Sequence, residues 1–501
     1  MSVDFSSPSI SASGETFSAK GKVIDEGTST NRVAIKGIED SRMRIVAKTI
    51  TESKQSGFLT RLVDKIKYIK VKGADGDKIY LNIGSLSRLG ISSSEARSAS
   101  KAGNLENLIQ ERAPQMKAKL EKYDAVLNKY SEDKQEMRSK DGGIATGLSK
   151  QELQKVIRIG LTQVTAAGKV LSFSKAQVLV QQTNGEHPRI IAKPMDSTLG
   201  SGSFGVVHKV VDVFGATTHA MKLAKLEINV MQEEADHNYK AIKDVKNEAK
   251  LLSYIGLQRG VQRPPSHQAF AIDKAGWVGF VGHLYSCSLS EVKPFLENKT
   301  AGMECGHQLF CGLAVLEEKG VILGDVKGGN ILVTLDEQTG LPKEVGLADL
   351  GGAKKTKDLN LSKLRKSPLG TKTPGHYTKL DETKAREAAQ NDNKTRFVEL
   401  QHKRDVFATT QTLLRQITGV KPFETTSDGY ARVPSDTKYL KALSDHGYPD
   451  EVVNFFKKNL SDDPDERSTP QQALKEYEGI MSRHFPALYD KLKSEGHLRQ
   501  A

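Results

Sequence analysis

The chain has 501 residues, 37% of them apolar and 27% charged, a balance that describes a soluble protein of two or three domains with length for a well-buried core. Its formal net charge of +13 favours acidic partners, yet neither an aromatic-interleaved basic patch nor zinc-finger spacing marks a dedicated nucleic-acid module. No run of about 18 apolar residues is present, which excludes a spanning helix.

The three cysteines, Cys287, Cys305 and Cys311, lack metal-ligand spacing and read as buried free thiols of a reducing compartment. Residues 1–30 are small and polar, rich in Ser and Thr, and without periodicity; this leader is expected to be disordered. It lacks the apolar core of a cleaved secretory signal. Short apolar stretches between Arg32 and Thr49 suggest strands. Phe58, Leu59, Leu62, Val63 and Ile66 then recur at helical spacing among Arg61, Lys65 and Lys67. Two readings stand for that stretch: a helix packed on its own small domain, or a basic amphipathic element touching a membrane surface or a partner.

Lys78 to Gly84 alternates like a strand. From Asn104 to about Tyr130 the pattern is helical, with Pro114 starting or kinking the helix. Ser131 to Gly147 is charged and glycine-containing, and reads as a linker. Ser149 and Glu152 offer a capping box for a following helix. Val170–Phe173, Val178–Val180 and Ile190–Ala192 suggest strands, with Asn184-Gly185 as a turn between the last two. The expected organisation is a leader over 1–30, an N-terminal α/β region over 31–130, a linker over 131–150 and a catalytic domain over 151–490.

Within that last span, five short motifs stand in order. Leu199-Gly200-Ser201-Gly202-Ser203-Phe204-Gly205-Val206-Val207 fits G-x-G-x-x-G-x-V, and its glycines would let backbone N–H groups close over phosphates. A flexible surface loop is the competing reading of the glycines alone. The flanks, His208 to Phe214 and His219 to Leu223, are β-rich, whereas a dinucleotide fingerprint would open a helix at its third glycine. Ala220-Met221-Lys222 puts a lysine on an apolar strand, and Glu248 lies on a helical stretch where Val245, Ala249 and Leu252 share a face. Glu233 and Glu234 are rival partners of Lys222, nearer the strand than a helix of useful length allows. An apolar approach leads into Asp325, Lys327 and Asn330, and another into Asp349-Leu350-Gly351.

These residue types suit phosphoryl transfer: Lys222 for the α- and β-phosphates with Glu248 holding it, Asp325 to orient and accept the proton of an attacking hydroxyl, Lys327 to balance phosphoryl charge, and Asn330 and Asp349 to hold a metal. All candidate ligands are oxygens beside a polyphosphate, which favours Mg²⁺. A turn with no chemistry is the competing reading of Asp349, and a solvated surface carboxylate that of Glu248.

Over roughly residues 190–480 the chain resembles a eukaryotic-type protein kinase. Asp405-Val406-Phe407-Ala408-Thr409 resembles the start of that family's buried central helix, Ile417 to Phe423 the segment after it, and Leu460 to Arg467 with Ala473-Leu474 its closing helices. The resemblance implies an α+β, bilobal fold with a β-rich N-lobe and a helical C-lobe, preceded by a separate small N-terminal region. It implies ATP and Mg²⁺ as cofactors, bound by Leu199, Gly200, Ser201, Gly202, Ser203, Phe204, Gly205, Val207, Ala220 and Lys222. Lys327 resembles the serine/threonine branch.

Departures accompany the likeness. Leu323-Gly324 stands where the family has His-Arg before the catalytic aspartate, which removes the usual clamp for a phosphorylated activation segment. Gly370 to Tyr377 resembles the substrate-facing end of that segment, but no Ala-Pro-Glu follows. Lys379 to Arg404 reads as a polar insertion, and Glu382 is the first guess for the ion-pair partner of Arg467.

The Ser/Thr-rich leader, the basic Ser56–Leu62 region and the missing His-Arg together resemble type III secreted effector kinases of Gram-negative pathogens. That narrower likeness implies action in the host cytoplasm on signalling or cytoskeletal proteins, with a secretion chaperone at the N-terminal region and a host activating cofactor as partners; a cytoplasmic location is the alternative. Phosphorylation of Ser and Thr hydroxyls, including the chain's own, is the leading expectation. A pseudokinase scaffold and a kinase-fold enzyme transferring another group are the alternatives.

Overall fold

The computed structural model describes residues 89–127, 143–162, 168–182, 188–226 apart from 204, 232–272, 277–369, 373–432 apart from 422, and 438–498, with shorter stretches at 9–10, 16–17, 28–33, 45–50, 68–72, 78–86 and 138–139. The chain divides into two compact units, one of residues 1–197 and 209–218, the other of 198–208 and 219–501. This division falls inside the 151–490 span.

In the first unit, strands β1 (Ser9–Ile10) and β2 (Thr16–Phe17) pair antiparallel, so the leader is not wholly without secondary structure. A four-stranded antiparallel sheet follows: β3 (Thr28–Val33), β4 (Ile45–Ile50), β5 (Tyr68–Lys72) and β6 (Lys78–Asn82), in the order β3-β4-β6-β5. Helices α1 (Ile83–Leu86), α2 (Ser93–Lys101) and α3 (Leu105–Leu127) succeed it. Their apolar faces join Ile69 and Leu81 in one small core with Ile109, Met116 and Leu120. Pro114 lies inside α3 rather than at its start. The Phe58–Ile66 stripe and the Asn184-Gly185 turn lie outside the described residues.

Helix α4 (Lys150–Thr162) opens on the expected capping box: Ser149 N–H donates to Glu152 Oε2 at 2.8 Å, and Glu152 N–H donates to Ser149 Oγ at 3.3 Å. Strands β7 (Lys169–Ser172), β8 (Ala176–Gln181) and β9 (Arg189–Pro194) form a meander on which Leu153, Val156 and Ile157 of α4 pack.

The second unit begins with the hairpin β10 (Thr198–Ser201) and the first half of β11 (Gly205–Asp212), followed by β12 (Thr217–Ala224) and helix α5 (Gln232–Ile255). After a short β13 (Gly260–Val261), β14 (His267–Ile272) and β15 (Trp277–Gly282) pair with each other, and β15 pairs with β12, setting Lys222 opposite Phe280. Beyond β16 (Cys287–Ser288) the unit turns helical, with α6 (Lys299–Glu318) carrying 14 buried residues. That is the α+β design of a curled antiparallel N-lobe and a helical C-terminal region.

Short antiparallel strand pairs interrupt the helices. Strand β17 (Val321–Ile322) leads into the loop of Asp325, and β18 (Ile331–Leu335) with β19 (Pro342–Leu347) brings the chain to Asp349. Strand β20 (Lys354–Lys355) pairs with β17, and α7 (Leu361–Leu364) follows. The segment read as a polar insertion is helical: α8 (Lys379–Gln390) and the front of α9 (Lys394–Thr418). The central helix therefore starts at Lys394, well before Asp405, and its polar opening turns conceal that. Phe397 and Leu400 bury against Ala385, Ala388 and Ala389 of α8, which gives a stretch of mostly charged sequence an apolar seam.

Helices α10 (Lys438–Asp445), α11 (Asp450–Asn459), α12 (Pro470–His484) and α13 (Pro486–Ser494) close the unit. Arg467, wholly buried, donates to Asp381 Oδ1 at 2.8 Å, and its guanidinium sits 4.3 Å from the centre of the Phe407 ring. This corrects the Glu382 assignment: Glu382 instead accepts from Arg386 and from the Tyr430 hydroxyl. Capping decides between the neighbours, because Asp381 is the N3 residue that Thr378 N–H reaches, which turns its carboxylate inward. The cysteines are free, two of them buried and Cys287 half-buried. Among the described residues no helix is long and apolar enough to cross a membrane.

Candidate active site

The glycine-rich hairpin is set by strand pairing. Gly200 stands opposite Val207 and Ser201 opposite Val206, and Gly202 N–H donates to Gly205 O at 2.8 Å to close the turn. Leu199, Gly200, Ser201, Gly202 and Ser203 are exposed, Val207 is half-buried, and Phe204 lies outside the described residues. A Cβ added at Gly200 would meet nothing within 4 Å, and one at Gly202 only the Gly205 carbonyl at 3.8 Å. Neither packing nor a left-handed backbone demands glycine there, so the room they leave suits a ligand approaching the backbone. Gly205 differs: a Cβ there would stand 3.0 Å from Lys222 Cε.

Ala220 and Lys222 lie on β12, held by their register with Gly282 and Phe280. The Lys222 ammonium donates to Glu248 Oε2 at 2.5 Å and to Asp349 Oδ1 at 3.0 Å. Glu248 is buried on α5, in the turn that sends Val245, Ala249 and Leu252 into the core. Burial pushes the Glu248 carboxyl above its ordinary value, with Lys222 opposing. Burial also works against the Lys222 charge, but the Glu248 and Asp349 carboxylates reverse that and hold its pKa above the ordinary lysine value. The proton therefore stays on the lysine. The rivals Glu233 and Glu234 sit at the beginning of the same helix, and Glu248 is the carboxylate that pairs.

Asp349 has φ 60 and ψ 55, a left-handed conformation uncommon for a residue with a side chain, and its side chain is 50% exposed. Strain of this kind persists where surrounding structure enforces it, which here is the one-turn helix Leu350–Gly352. Asn247, the neighbour of Glu248, donates its amide to Gly351 O at 3.0 Å and Ala353 O at 3.3 Å.

Asp325 forms a second cluster. Lys327 Nζ donates to its Oδ2 at 2.9 Å, Asn330 Nδ2 to its Oδ2 at 3.1 Å and to its backbone O at 2.9 Å, and Thr373 Oγ1 to its Oδ1 at 2.5 Å. Lys327 also donates to Thr373 Oγ1 at 3.0 Å. Burial would raise the Asp325 carboxyl, but the Thr373, Lys327 and Asn330 donors outweigh it and hold it below the ordinary carboxylate range. With its amide nitrogen committed to Asp325, Asn330 has its carbonyl oxygen to offer a cation.

Three residues around this cluster were given no role at the site by the sequence, although Asp405 was read as the start of the central helix. Thr373 lies within the segment read as substrate-facing, yet nothing local marks it among its neighbouring threonines. Asp405 accepts from Leu323 N–H and Gly324 N–H, both at 3.0 Å, from inside the central helix, and burial pushes its carboxyl up to about 6. Arg404 donates to Gly324 O and Leu369 O, both at 2.9 Å. A charged pair, Arg404-Asp405, in the middle of a helix that buries 19 of its residues was the available signal.

The family model for the protein kinase domain matches residues 195–477, more than half of the chain. The chain belongs to the protein kinase family. Kinase activity, ATP as the phosphate source and a protein substrate follow from that membership. No curated protein matches the chain.

Proposed function

We propose that this protein is a Mg²⁺-dependent serine/threonine kinase that also phosphorylates itself. The observation that carries the reading is the Lys222 ammonium shared between Glu248 and Asp349, because it draws three remote stretches of chain to one point. ATP with Mg²⁺ supplies the transferable phosphoryl group when bound. The donors fit such a group: open room at Gly200 and Gly202, a fixed ammonium, a half-exposed Asp349 carboxylate and the Asn330 carbonyl. Lys222 binds phosphate oxygens, and Glu248 keeps its ammonium from turning away. Asp325, ionised and already accepting the Thr373 hydroxyl, orients a serine or threonine hydroxyl in the same manner and takes its proton, while Lys327 offsets phosphoryl charge.

The narrower reading, a secreted effector acting on host signalling or cytoskeletal proteins with a chaperone bound to residues 31–130, is supported by the polar leader and the absent His-Arg. The domain limits 1–30, 31–130, 131–150 and 151–490 belong to the same proposal. The test is incubation of the purified chain with ATP, Mg²⁺ and host-cell extract, with product masses read by mass spectrometry. Phosphate added to Ser and Thr is the expected result. Addition of a nucleotidyl group overturns it, and silence with every extract favours the scaffold alternative.

A further inference from the structure

The backbone just before Asp325 is held at consecutive N–H and C=O groups by one turn of α9. Asp405 takes the N–H groups of Leu323 and Gly324, and Arg404 donates Nη2 to the Gly324 carbonyl at 2.9 Å. The other arm of the same guanidinium, Nη1, donates to the Leu369 carbonyl at 2.9 Å. Arg404 is 3% exposed. Leu369 stands four residues before Thr373, whose hydroxyl rests on Asp325. A closed ring results: α9 to Gly324, Asp325 to Thr373, Leu369 back to α9. Gly324 has φ 83, a conformation that favours glycine and leaves no side chain at that position to make such a tie from within the loop.

We propose that Arg404 is a positioning residue that holds the Asp325 loop in register with Leu369 and Thr373, and that this register needs no phosphate on residues 356–369. The inference deepens the serine/threonine kinase reading and rests on it. A guanidinium is charged at every working pH and its planar fork reaches two acceptors at once, so the tie exists without modification. An ammonium at the same place is a point donor on a different stem and cannot span both carbonyls with that geometry.

The test uses the full chain as wild type, as Arg404→Lys and Arg404→Ala, and as a variant with Thr356, Ser362 and Ser367 all changed to Ala. The three-site variant is expected to keep the wild-type rate. Arg404→Lys is expected to lose about tenfold or more in kcat with KM for ATP held within about twofold, since misplacement and not nucleotide affinity is the defect. Amide exchange in 323–330 and in 364–378 is expected to quicken together in both Arg404 variants. If Arg404→Ala does not fold, Arg404→Lys carries the measurement alone. Loss of activity in the three-site variant, or unchanged kcat in Arg404→Lys, overturns the proposal. Should the wild type transfer no phosphate, the proposed function fails and the exchange arm decides this inference: joint loss of protection supports the tie, and unchanged protection of either segment overturns it.

Discussion

Arg467 and Asp381 form an ion pair at 2.8 Å with both side chains sealed from water, 86 residues apart in sequence. Breaking such a pair from one side leaves a buried, uncompensated charge. Asp381→Asn is expected to lower stability by about 3–5 kcal/mol, and Glu382→Gln, whose partners are the half-exposed Arg386 on the same helix and the Tyr430 hydroxyl, by less, about 1 kcal/mol. Urea unfolding of the two variants compares them directly; equal losses would return Glu382 to consideration.

Lys222→Met removes the ammonium proposed to bind phosphate and frees two carboxylates, Glu248 and Asp349. Phosphate incorporation is expected to fall on the order of 10³-fold, and Asp349→Asn to match it, because each removes a group that the proposed reaction needs in its transition state. Glu248→Gln is expected to lose less, since it only positions Lys222. Steady-state rates at saturating ATP rank the three, and full activity in Asp349→Asn would remove the metal role.

Gly200 and Gly279 separate ligand room from packing. A Cβ at Gly279 would lie 2.3 Å from the Lys222 backbone oxygen, so Gly279→Ala is expected to destabilise by about 1–3 kcal/mol. Gly200→Ala is expected to leave the melting temperature unchanged while raising KM for ATP. Thermal scans paired with ATP titrations check both, and an unchanged KM in Gly200→Ala would argue for a plain surface loop.

Asp405 sets a pH dependence. Burial raises its carboxyl from 3.8 to about 6 in the folded chain, so between these values the folded state holds the extra proton. Stability from this group is therefore greatest below its unfolded pKa and declines as pH rises towards 6, by on the order of 3 kcal/mol in total. The stability of the wild type relative to Asp405→Asn is expected to fall by most of that amount from pH 4 to pH 7. A difference that is flat with pH would mean the carboxyl titrates normally.

How much of this could be read in advance divides by the range of the interactions. The glycine hairpin, the lysine strand and the Glu248 helix are written in local spacing, and the structure brings Lys222, Glu248 and Asp349 together as expected. The front of the central helix was missed because residues 394–404 are dominated by polar side chains that bury only through tertiary pairing. The Asp381 pairing was missed for a related reason: adjacent carboxylates are alike in sequence, and only the capping geometry turns one inward. Arg404 and Thr373 act through backbone carbonyls and a neighbouring carboxylate, partners that leave no trace in residue spacing.

Asn247 and Glu248 are consecutive, and each is tied to a different part of the Asp349 region: one to the carbonyls after it, the other to the lysine beside it. A rotation of that helix away from the sheet would pull on both tethers together. Any ligand that levers the helix outward thus loosens the lysine clamp and the Asp349 turn in a single stroke, because the two tethers leave from adjacent residues.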